Sequence, residues 1–478
     1  NQYKVIKGEA KLDKVITANN SINIDGSTSK TIEGCEEILE YSYDENTGRL
    51  SGIANTRDSV VLDSDIFGNK TITTTHKEFA PTETGQVKLL SSSSWTETSD
   101  EYGATSLDGT KIEKIQASVI TYSYGEKDSY KDLLLGAIAT DSVVKTTDYY
   151  GNVSQTTTSY EYGVLLGQAK LITTKTSIDT QSIDGSTSKT IEGCEEKLEY
   201  GYYDDTGRLR KIINTQDSKV LNSDIFGNKT VTITHKEFAS TDSGQIKLKT
   251  SSSWTETSEQ YGAISLDGTK IETVQASVVT YSYGEKNGYK DLLLEATATD
   301  SIVKTTDYYG NVTLTITSCA YSVLLGQAKV SKITTSVDSQ NIDGSTSKTI
   351  EGCEEVLQYS YDDNTGRLSG ITNIKDSIVL NNDGFGNKTI TVTRKEFVLT
   401  NTGQIKLKTS SSWTETSDEY GAISLDGTKI ETVQASIVTY SYGEKDGYKD
   451  LLLEATATDS VIKTTDYYGD VTLTTTSY

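Results

Sequence analysis

The chain has 478 residues, of which 34% are hydrophobic and 24% charged, and its 68 acidic and 45 basic residues give a net charge of −23. Such an acidic chain is not expected to bind nucleic acid, which needs basic patches that neutralise phosphates, or to dock on anionic lipid. No stretch approaches the roughly 18 apolar residues of a membrane span. A strongly acidic surface keeps abundant proteins dispersed, and we expect this chain outside the cell or on its surface.

The elements predicted along the chain are strands joined by tight turns. Residues 24–37, IDGSTSKTIEGCEE, begin with an Asp-Gly turn that is typical of hairpins, because both positions must tolerate positive φ. Further on, KIQASVITYSYG at 114–125 places Ile120, Tyr122 and Tyr124 on one face and small polar residues on the other, as in a half-buried strand. Thr-rich segments such as NKTITTTHKEF lie between these two. The pattern predicts antiparallel β structure.

One segment comes closer to a helical pattern than the others. It reads YKDLLLEATATDS and occupies residues 289–301. Its Thr-rich end and the strand-like segment that follows favour a strand, so the chain is predicted to be almost entirely β.

The whole pattern repeats with a period of 159 residues. Cys35, Cys194 and Cys353 are separated by 194 − 35 and 353 − 194 residues, both equal to 159, and no insertion or deletion was found between the copies. A fixed period of this kind indicates a repeat architecture. The predicted repeat units are residues 1–160, 161–319 and 320–478.

Each unit also contains a weaker internal repeat. DIFGNKTITTT at 65–75 resembles DYYGNVSQTTT at 148–158, which divides the unit into two divergent halves of about 80 residues. The strict spacing predicts an elongated antiparallel tandem-repeat structure, a coiled strip of hairpins similar to a solenoid. A string of β-sandwich domains of about 80 residues is the alternative. The chain has no methionine and Tyr478 aligns with Tyr160, so we expect it to belong to a longer array.

Three segments carry a recognisable motif of Tyr-Asp followed by Gly-Arg-Leu. They are YSYDENTGRLSGI at 41–53, YYDDTGRLRKI at 202–212 and YSYDDNTGRLSGI at 359–371, and TDYYGNVTLT at 306–315 is a variant with Gly-Asn in the turn. The motif resembles the YD repeat of RHS-type surface and shell proteins. This resemblance covers about a quarter of the chain and implies a long, extracellular, structural strip of hairpins that coils up.

Three sets of residues recur at equivalent positions and are candidate sites. One cysteine per unit is either a small buried residue or a cross-link between units or chains, which an oxidising exterior would permit. Asn-x-Thr sequons in recurring turns are candidate glycosylation acceptors. A tryptophan in each SSSWTETS segment is either a packing anchor or part of an aromatic platform for glycans. The candidates are Cys35, Cys194 and Cys353 for cross-linking, Asn69, Asn152, Asn228, Asn311 and Asn387 for glycosylation, and Trp95, Trp254 and Trp413 for the platform.

No motif for catalysis or for a cofactor or metal is present. His76 and His235 are the only histidines, and the equivalent residue of the third unit is Arg394, which a catalytic or zinc-binding position would not tolerate. We therefore predict no enzyme activity, no cofactor and no metal site. The predicted function is that of an extracellular structural repeat protein of a filament, fibre or sheath. Its expected partner is itself, assembled head to tail or laterally. The alternative is an adhesin stalk or a carbohydrate-binding surface module, with glycans as partners.

Overall fold

A computed structural model describes residues 1–478 and confirms the all-β prediction, with 68% of the residues in strands. Residues 289–298 of the segment 289–301 form a strand, as predicted, and the one helical element is a three-residue 3-10 turn at Glu259–Tyr261. No helix is long and apolar enough to span a membrane.

Strands run through all three repeat units. The strands that begin in the first unit are β1 (Gln2–Ile6), β2 (Glu9–Thr17), β3 (Asn20–Ile22), β4 (Thr28–Thr31), β5 (Glu37–Tyr43), β6 (Leu50–Arg57), β7 (Ser59–Ser64), β8 (Lys70–Pro81), β9 (Val87–Glu97), β10 (Lys111–Gln116), β11 (Ser118–Lys127), β12 (Tyr130–Ala139), β13 (Ser142–Thr147) and β14 (Val153–Leu165). Those of the second are β15 (Gln168–Gln181), β16 (Thr187–Thr190), β17 (Glu196–Tyr202), β18 (Leu209–Gln216), β19 (Ser218–Ser223), β20 (Lys229–Ser240), β21 (Ile246–Glu256), β22 (Lys270–Gln275), β23 (Ser277–Lys286), β24 (Tyr289–Ala298), β25 (Ser301–Thr306) and β26 (Val312–Leu324). Those of the third are β27 (Gln327–Gln340), β28 (Thr346–Thr349), β29 (Glu355–Tyr361), β30 (Leu368–Lys375), β31 (Ser377–Asn382), β32 (Lys388–Leu399), β33 (Ile405–Glu415), β34 (Lys429–Gln434), β35 (Ser436–Lys445), β36 (Tyr448–Ala457), β37 (Ser460–Thr465) and β38 (Val471–Thr476).

The strands lie across a strip, and each row of the strip is either one long strand or two short strands end to end. β14 and β15 are long strands that pair along their whole length. In the next row β16 pairs with one end of β15 and β17 with its middle. The row breaks at the repeated IEGCE stretch, where Gly193 has φ 78° and the backbone N–H of Cys194 donates to the carbonyl of Ile191 at 2.9 Å. The cysteine-bearing stretch is thus a kink that a glycine makes accessible.

Strand pairing continues across the boundaries of the units. The first boundary, between residues 160 and 161, falls inside β14, which pairs with β13 on one side and β15 on the other. The second falls inside β26, which pairs with β25 and β27. The strands form four hydrogen-bonded sheets of 4, 19, 12 and 3 strands, and neither unit boundary coincides with a break between sheets. The boundaries therefore mark the period of the strip and do not separate sandwich domains.

The apolar core is thin. Only 29 of 478 residues are buried, and 12 of these are hydrophobic. In the second unit Val231, Ile233 and Ala263 form a cluster against which Trp254 and Tyr261 pack. An equivalent cluster lies in the third unit. Because each cluster is small, contacts at the edges of the strip matter for its stability.

The strip has two edges of different character. The turns of one edge carry large apolar side chains, and we call it the apolar edge; the other, whose tips are mostly charged and small, we call the polar edge. The apolar edge consists of the turns at 23–27, 65–69, 105–110, 148–152, 182–186, 224–228, 264–269, 307–311, 341–345, 383–387, 423–428 and 466–470. The polar edge consists of the tips at 7–8, 44–49, 82–86, 128–131, 166–167, 203–208, 241–245, 287–290, 325–326, 362–367, 400–404 and 446–449.

The strip winds helically, so that the apolar edge meets the polar edge of the next winding. Arg367 on the polar edge contacts Asp108 on the apolar edge, 259 residues earlier in the chain. Lys290 contacts Ile24, and Lys449 contacts Ile183, with almost the same offset. We call this line of contact the seam.

Candidate functional site

Five turns of the apolar edge, at 65–69, 148–152, 224–228, 307–311 and 383–387, are each held by an aspartate and an asparagine four residues apart. In the turn 224–228 Asp224 accepts hydrogen bonds from the backbone N–H groups of Phe226 and Asn228, both at 2.9 Å. The Nδ2 of Asn228 donates to Asp224 at 2.8 Å, and its Oδ1 accepts from the backbone N–H of Leu266 in the next turn at 3.0 Å. The asparagine therefore ties neighbouring turns together, and the side chain of Phe226 projects from the edge.

The predicted glycosylation acceptors all occupy this bridging position. Nδ2 of each donates to the aspartate four residues earlier, and Oδ1 accepts from a backbone N–H of the following turn. The donors to Oδ1 are Leu107 for Asn69, Ile183 for Asn152, Leu266 for Asn228, Ile342 for Asn311 and Leu425 for Asn387. Their amides thus have a structural role that the sequence motif alone did not indicate. Glycosylation stays a prediction, which mass spectrometry of the native protein would test.

Replacing one bridging asparagine should destabilise its unit. Asn228→Ala removes the hydrogen bonds to Asp224 and Leu266, and we expect a loss of about 1–3 kcal/mol in the free energy of unfolding. Urea unfolding of the full chain measures it. Asn401, an exposed asparagine of the polar edge, provides the control, since Asn401→Ala should change stability by less than about 0.5 kcal/mol. Equal effects of the two changes would contradict the bridging role.

Asp224, Asp307 and Asp426 of the apolar edge are held in their charged form by hydrogen bonds of this kind. The bond from the Asn228 side chain lowers the pKa of Asp224, and the bond from the Asn311 side chain lowers that of Asp307. At Asp426 the hydroxyl of Ser424 and the backbone N–H of Thr428 lower the pKa to about 2. Hydrogen bonds donated to a carboxylate favour its ionised form.

Acid should therefore loosen the apolar edge. Because the pKa of these aspartates is lower in the folded than in the unfolded chain, they stabilise the fold fully above about pH 4. That contribution is lost as the pH falls from about 4 towards 2, the pKa of Asp426. We expect the melting temperature to fall progressively over this range, measured at high salt so that changes in net charge are screened. A melting temperature that stays constant down to pH 2 would contradict this assignment.

Two equivalent contacts, one period apart, form the best-defined part of the seam. The backbone N–H of Lys290 donates to the carbonyl of Ile24 at 2.8 Å, and the ring of Tyr289 lies over Gly26. A methyl group on Gly26 would stand 2.6 Å from Cδ1 of Tyr289, so only glycine leaves room for this ring.

The second copy of this contact repeats the geometry. Lys449 donates to Ile183 at 2.8 Å, and a methyl group on Gly185 would stand 2.9 Å from Tyr448. The same seam contact thus forms twice in one chain.

Between these two contacts an arginine and two aromatic residues connect the windings. Nε of Arg367 donates to the carbonyl of Asp108 at 2.8 Å, and its guanidinium lies 3.7 Å from the ring centroid of Tyr149. Phe67 packs on Gly326, where a methyl group would stand 2.4 Å from the ring. Aromatic rings and arginine are typical of the energetically dominant contacts in interfaces.

Charges across the seam are complementary. Burial alone would raise the pKa of Asp25, but hydrogen bonds from Ser27 and the nearby charge of Lys247 in the next winding lower it. The pKa of Asp108 is likewise lowered against burial by hydrogen bonds from its own turn and by Lys329 across the seam. Lys247 and Lys329, which lie beside tips of the polar edge, thus face aspartates of the apolar edge.

The third Tyr-Asp…Gly-Arg-Leu segment supplies a tip of the seam. The hydroxyl of Tyr361 donates to the carbonyl of Val330 at 2.7 Å, and Asp362 accepts from the backbone N–H of Thr365 at 2.8 Å. Gly366 has φ 66°, which closes the tip and aims Arg367 at the preceding winding. Tyr361, Asp362, Gly366 and Arg367 of the motif therefore each have a defined structural role here.

The candidate cross-linking cysteines lie at the row breaks. Cys35, Cys194 and Cys353 are free, partly buried thiols, and so is Cys319 in β26. Burial and the nearby Asp300 raise the pKa of the Cys319 thiol. A cross-link between chains stays a prediction, and comparing electrophoresis with and without reductant would test it.

The candidate tryptophans take part in packing. Trp254 and Trp413 pack against the core clusters of their units. The ammonium of Lys114 lies 3.4 Å from the ring centroid of Trp95, and the Trp95 indole N–H donates to Glu97 at 3.3 Å. These are the contacts of packing anchors; a role as an aromatic platform remains a proposal.

The exchange of histidine for arginine between units has a structural explanation. His76 contacts Asp58 at 2.7 Å and His235 contacts Asp217 at 2.6 Å, while Arg394 contacts Asp376 at 3.1 Å. Each position supplies a partner for an aspartate between two strands of a broken row, and arginine can do this as well as histidine.

An ion pair that the sequence motifs did not indicate recurs in all three units. In the second unit Nζ of Lys236 lies 2.8 Å from Glu196, whose side chain is 11% exposed. The equivalent pairs, also at 2.8 Å, are Lys77 with Glu37 and Lys395 with Glu355. The signal was present, because both residues are unchanged in every copy, but nothing in the sequence indicated that two surface-type residues 40 positions apart would meet.

No group of three or more His, Cys, Asp or Glu side chains converges in a way that could hold a metal ion. In comparisons with known proteins, no family model matches the chain and no curated protein matches it.

Proposed function

We propose that the protein is a structural component of an extracellular filament, fibre or sheath. The observation that carries this proposal is the seam: the same contact, Lys290 with Ile24 and Lys449 with Ile183, forms at successive positions of one helical strip. A repeated contact with a constant offset can be extended by adding units. The acidic composition and the resemblance to YD-repeat proteins support an extracellular location.

The winding gives such a strip stiffness. A flat sheet of hairpins bends easily and has two exposed edges, which are prone to unspecific association. In this chain hydrogen bonds and packed aromatic rings join each winding to the next. Bending would have to break these contacts together, so the wound strip resists it.

Electron microscopy of the native material tests the proposal. The longest strands, β15 and β27, have 14 residues each, which at about 3.3 Å per residue makes the strip about 45 Å wide. Because the edges of successive windings touch, each winding should advance along the fibre by about one strip width. We therefore expect fibres with an axial repeat on the order of 50 Å. Particles that are globular, or chains of beads with flexible joints, would contradict the proposal.

A second candidate function is supported by a recurring groove. Beside the tip 128–131 an open groove of about 380 Å³ is lined by Tyr122, Tyr124 and Asp132, and an equivalent groove of about 390 Å³ lies at Tyr440 and Tyr442. Tyrosine rings flanked by polar groups can bind sugars. Glycan binding that Tyr122→Ala and Tyr440→Ala remove, but Trp254→Ala leaves unchanged, would support a carbohydrate-binding surface at the groove. Loss with Trp254→Ala would instead favour the tryptophan platform.

A further inference from the structure

The later part of the apolar edge is exposed in this structure, although its sequence differs from that of the earlier copies at few positions, such as Gly384 in place of Ile66 and Ile225. Phe67 is half-buried against Gly326, whereas Phe226 and Phe385 at the equivalent positions are 74% and 88% exposed. Ile342 is 72% exposed and Ile24 is 46% exposed. From residue 224 onward the edge is a ridge of large apolar side chains without a winding beside it. Contiguous apolar patches of this kind mark interaction sites.

The polar edge also differs in exposure along its length, but here the early part is the uncovered one. Tyr130 is 70% exposed, whereas Tyr289 and Tyr448, which cover Gly26 and Gly185, are 41% and 39% exposed. No atom lies within 4 Å of the methyl position of Gly344, the third copy of these glycines. One chain therefore presents an uncovered copy of each half of the same contact.

We propose that a second copy of this chain docks the early part of its polar edge, residues 7–208, on the late part of the apolar edge, residues 225–468, and so continues the helix. This inference rests on the proposed function and names the surface through which the filament would grow. The observation behind it is continuity: the surface that would form is the seam already present inside the chain.

The internal contacts fix the register of the docked copy. Shifting them by the 159-residue period places Lys131 and Tyr130 of a second copy on Ile342 and Gly344, as Lys290 and Tyr289 lie on Ile24 and Gly26. Arg49 and Arg208 of the second copy would stack on Tyr308 and Tyr467, as Arg367 stacks on Tyr149. Gly8 and Gly167 of the second copy would receive Phe226 and Phe385, as Gly326 receives Phe67.

The charges and the symmetry of this surface fit self-association. Lys88 of the second copy would approach Asp343, as Lys247 approaches Asp25, which places a positive charge beside a negative one across the interface. The two docking surfaces differ, which makes the interface heterologous. Such an interface adds copies in one direction and produces open filaments, not closed dimers.

Two sets of substitutions test the docking in the full chain. Ile342→Asp, Phe385→Asp and Tyr467→Asp change only the exposed ridge, while Arg49→Asp, Tyr130→Asp and Arg208→Asp change only the uncovered tips. Ile138 is 74% exposed on β12 and is Thr in the other two units, so Ile138→Thr is the control. Sedimentation velocity over a wide range of protein concentrations measures association, and circular dichroism checks the fold.

We expect the unchanged chain and Ile138→Thr to associate, and each triple variant to associate at least about 100-fold more weakly. Mixing the two triple variants should give dimers and nothing longer, because each retains one intact surface. A wild-type chain that stays monomeric, or triple variants that associate normally, would overturn the docking. Wild-type fibres that persist in both triple variants would overturn the docking and leave the filament proposal standing. Association through these edges, with no filaments in the native material, would contradict the filament proposal and leave the docking standing.

Discussion

A chain reduced to one repeat unit, residues 161–319, should show no cooperative unfolding transition, whereas the full chain should show one. The reason lies in the length that the seam requires. Arg367 and Asp108 are 259 residues apart, and the other seam contacts span similar distances, so a unit of 159 residues contains none of them. What remains is a two-edged sheet with a core of three buried residues. Urea unfolding followed by circular dichroism measures the difference.

The same geometry predicts that stability does not rise evenly with the number of units. Residues 1–319 retain the contact of Lys290 with Ile24, but the contacts of Arg367, Gly326 and Lys449 require the third unit. At about 1–2 kcal/mol for each packed and hydrogen-bonded contact, the step from two units to three should exceed the step from one to two. An ordinary nearest-neighbour array gains equally with each added unit. Equal increments, in chains shown by sedimentation to be monomeric, would contradict the role of the seam.

Local patterns in the sequence predicted the fold well because the conformation of each strand and turn depends mainly on residues that are neighbours in the chain. The period-two alternation of Ile120, Tyr122 and Tyr124 lies in β11, and the Thr-rich end of the segment 289–301 correctly favoured a strand. The Asp-Gly turn at residue 25 and the Gly-Asn turn at residue 68 both reverse the chain. In each case the residues that decide the conformation are neighbours, so a short window contains all the information needed.

The seam could not be predicted in this way. Its two sides differ in sequence and lie far apart in the chain, and their meeting depends on how strongly the strip curves, which no short window contains. Asn228 illustrates the same limit. Its Asn-x-Thr context led to the glycosylation prediction, which stays a prediction, but that context gave no sign that its amide joins Asp224 to the next turn. The repeated Asn, Tyr and Arg side chains are recognisable as motifs, but their role follows only from where the windings touch.

Removing the lysine of the recurring ion pair should strongly destabilise the second unit. Lys236→Ala would leave Glu196, 11% exposed, without its partner at 2.8 Å. Breaking a buried pair in this way costs about 3–5 kcal/mol, since the remaining charge is neither solvated nor neutralised. Urea unfolding followed by the fluorescence of Trp254, in a chain with Trp95→Phe and Trp413→Phe, reports on this unit because Trp254 packs on its core cluster.

Two further variants separate the loss of the pair from the loss of a charge. The exposed pair of Lys304 with Glu272 at 3.2 Å lies in the same unit, and Lys304→Ala should cost no more than about 1 kcal/mol. Replacing both members of the buried pair, Glu196→Leu with Lys236→Met, should restore stability to within about 1 kcal/mol of the unchanged chain, because no unpaired charge remains. If the double variant were as unstable as Lys236→Ala, the destabilisation would come from loss of the ion pair and not from the unpaired charge of Glu196. If instead Lys236→Ala and Lys304→Ala had equal effects, Glu196 would have to be hydrated in solution, and the recurrence of the pair in every unit would need an explanation other than burial.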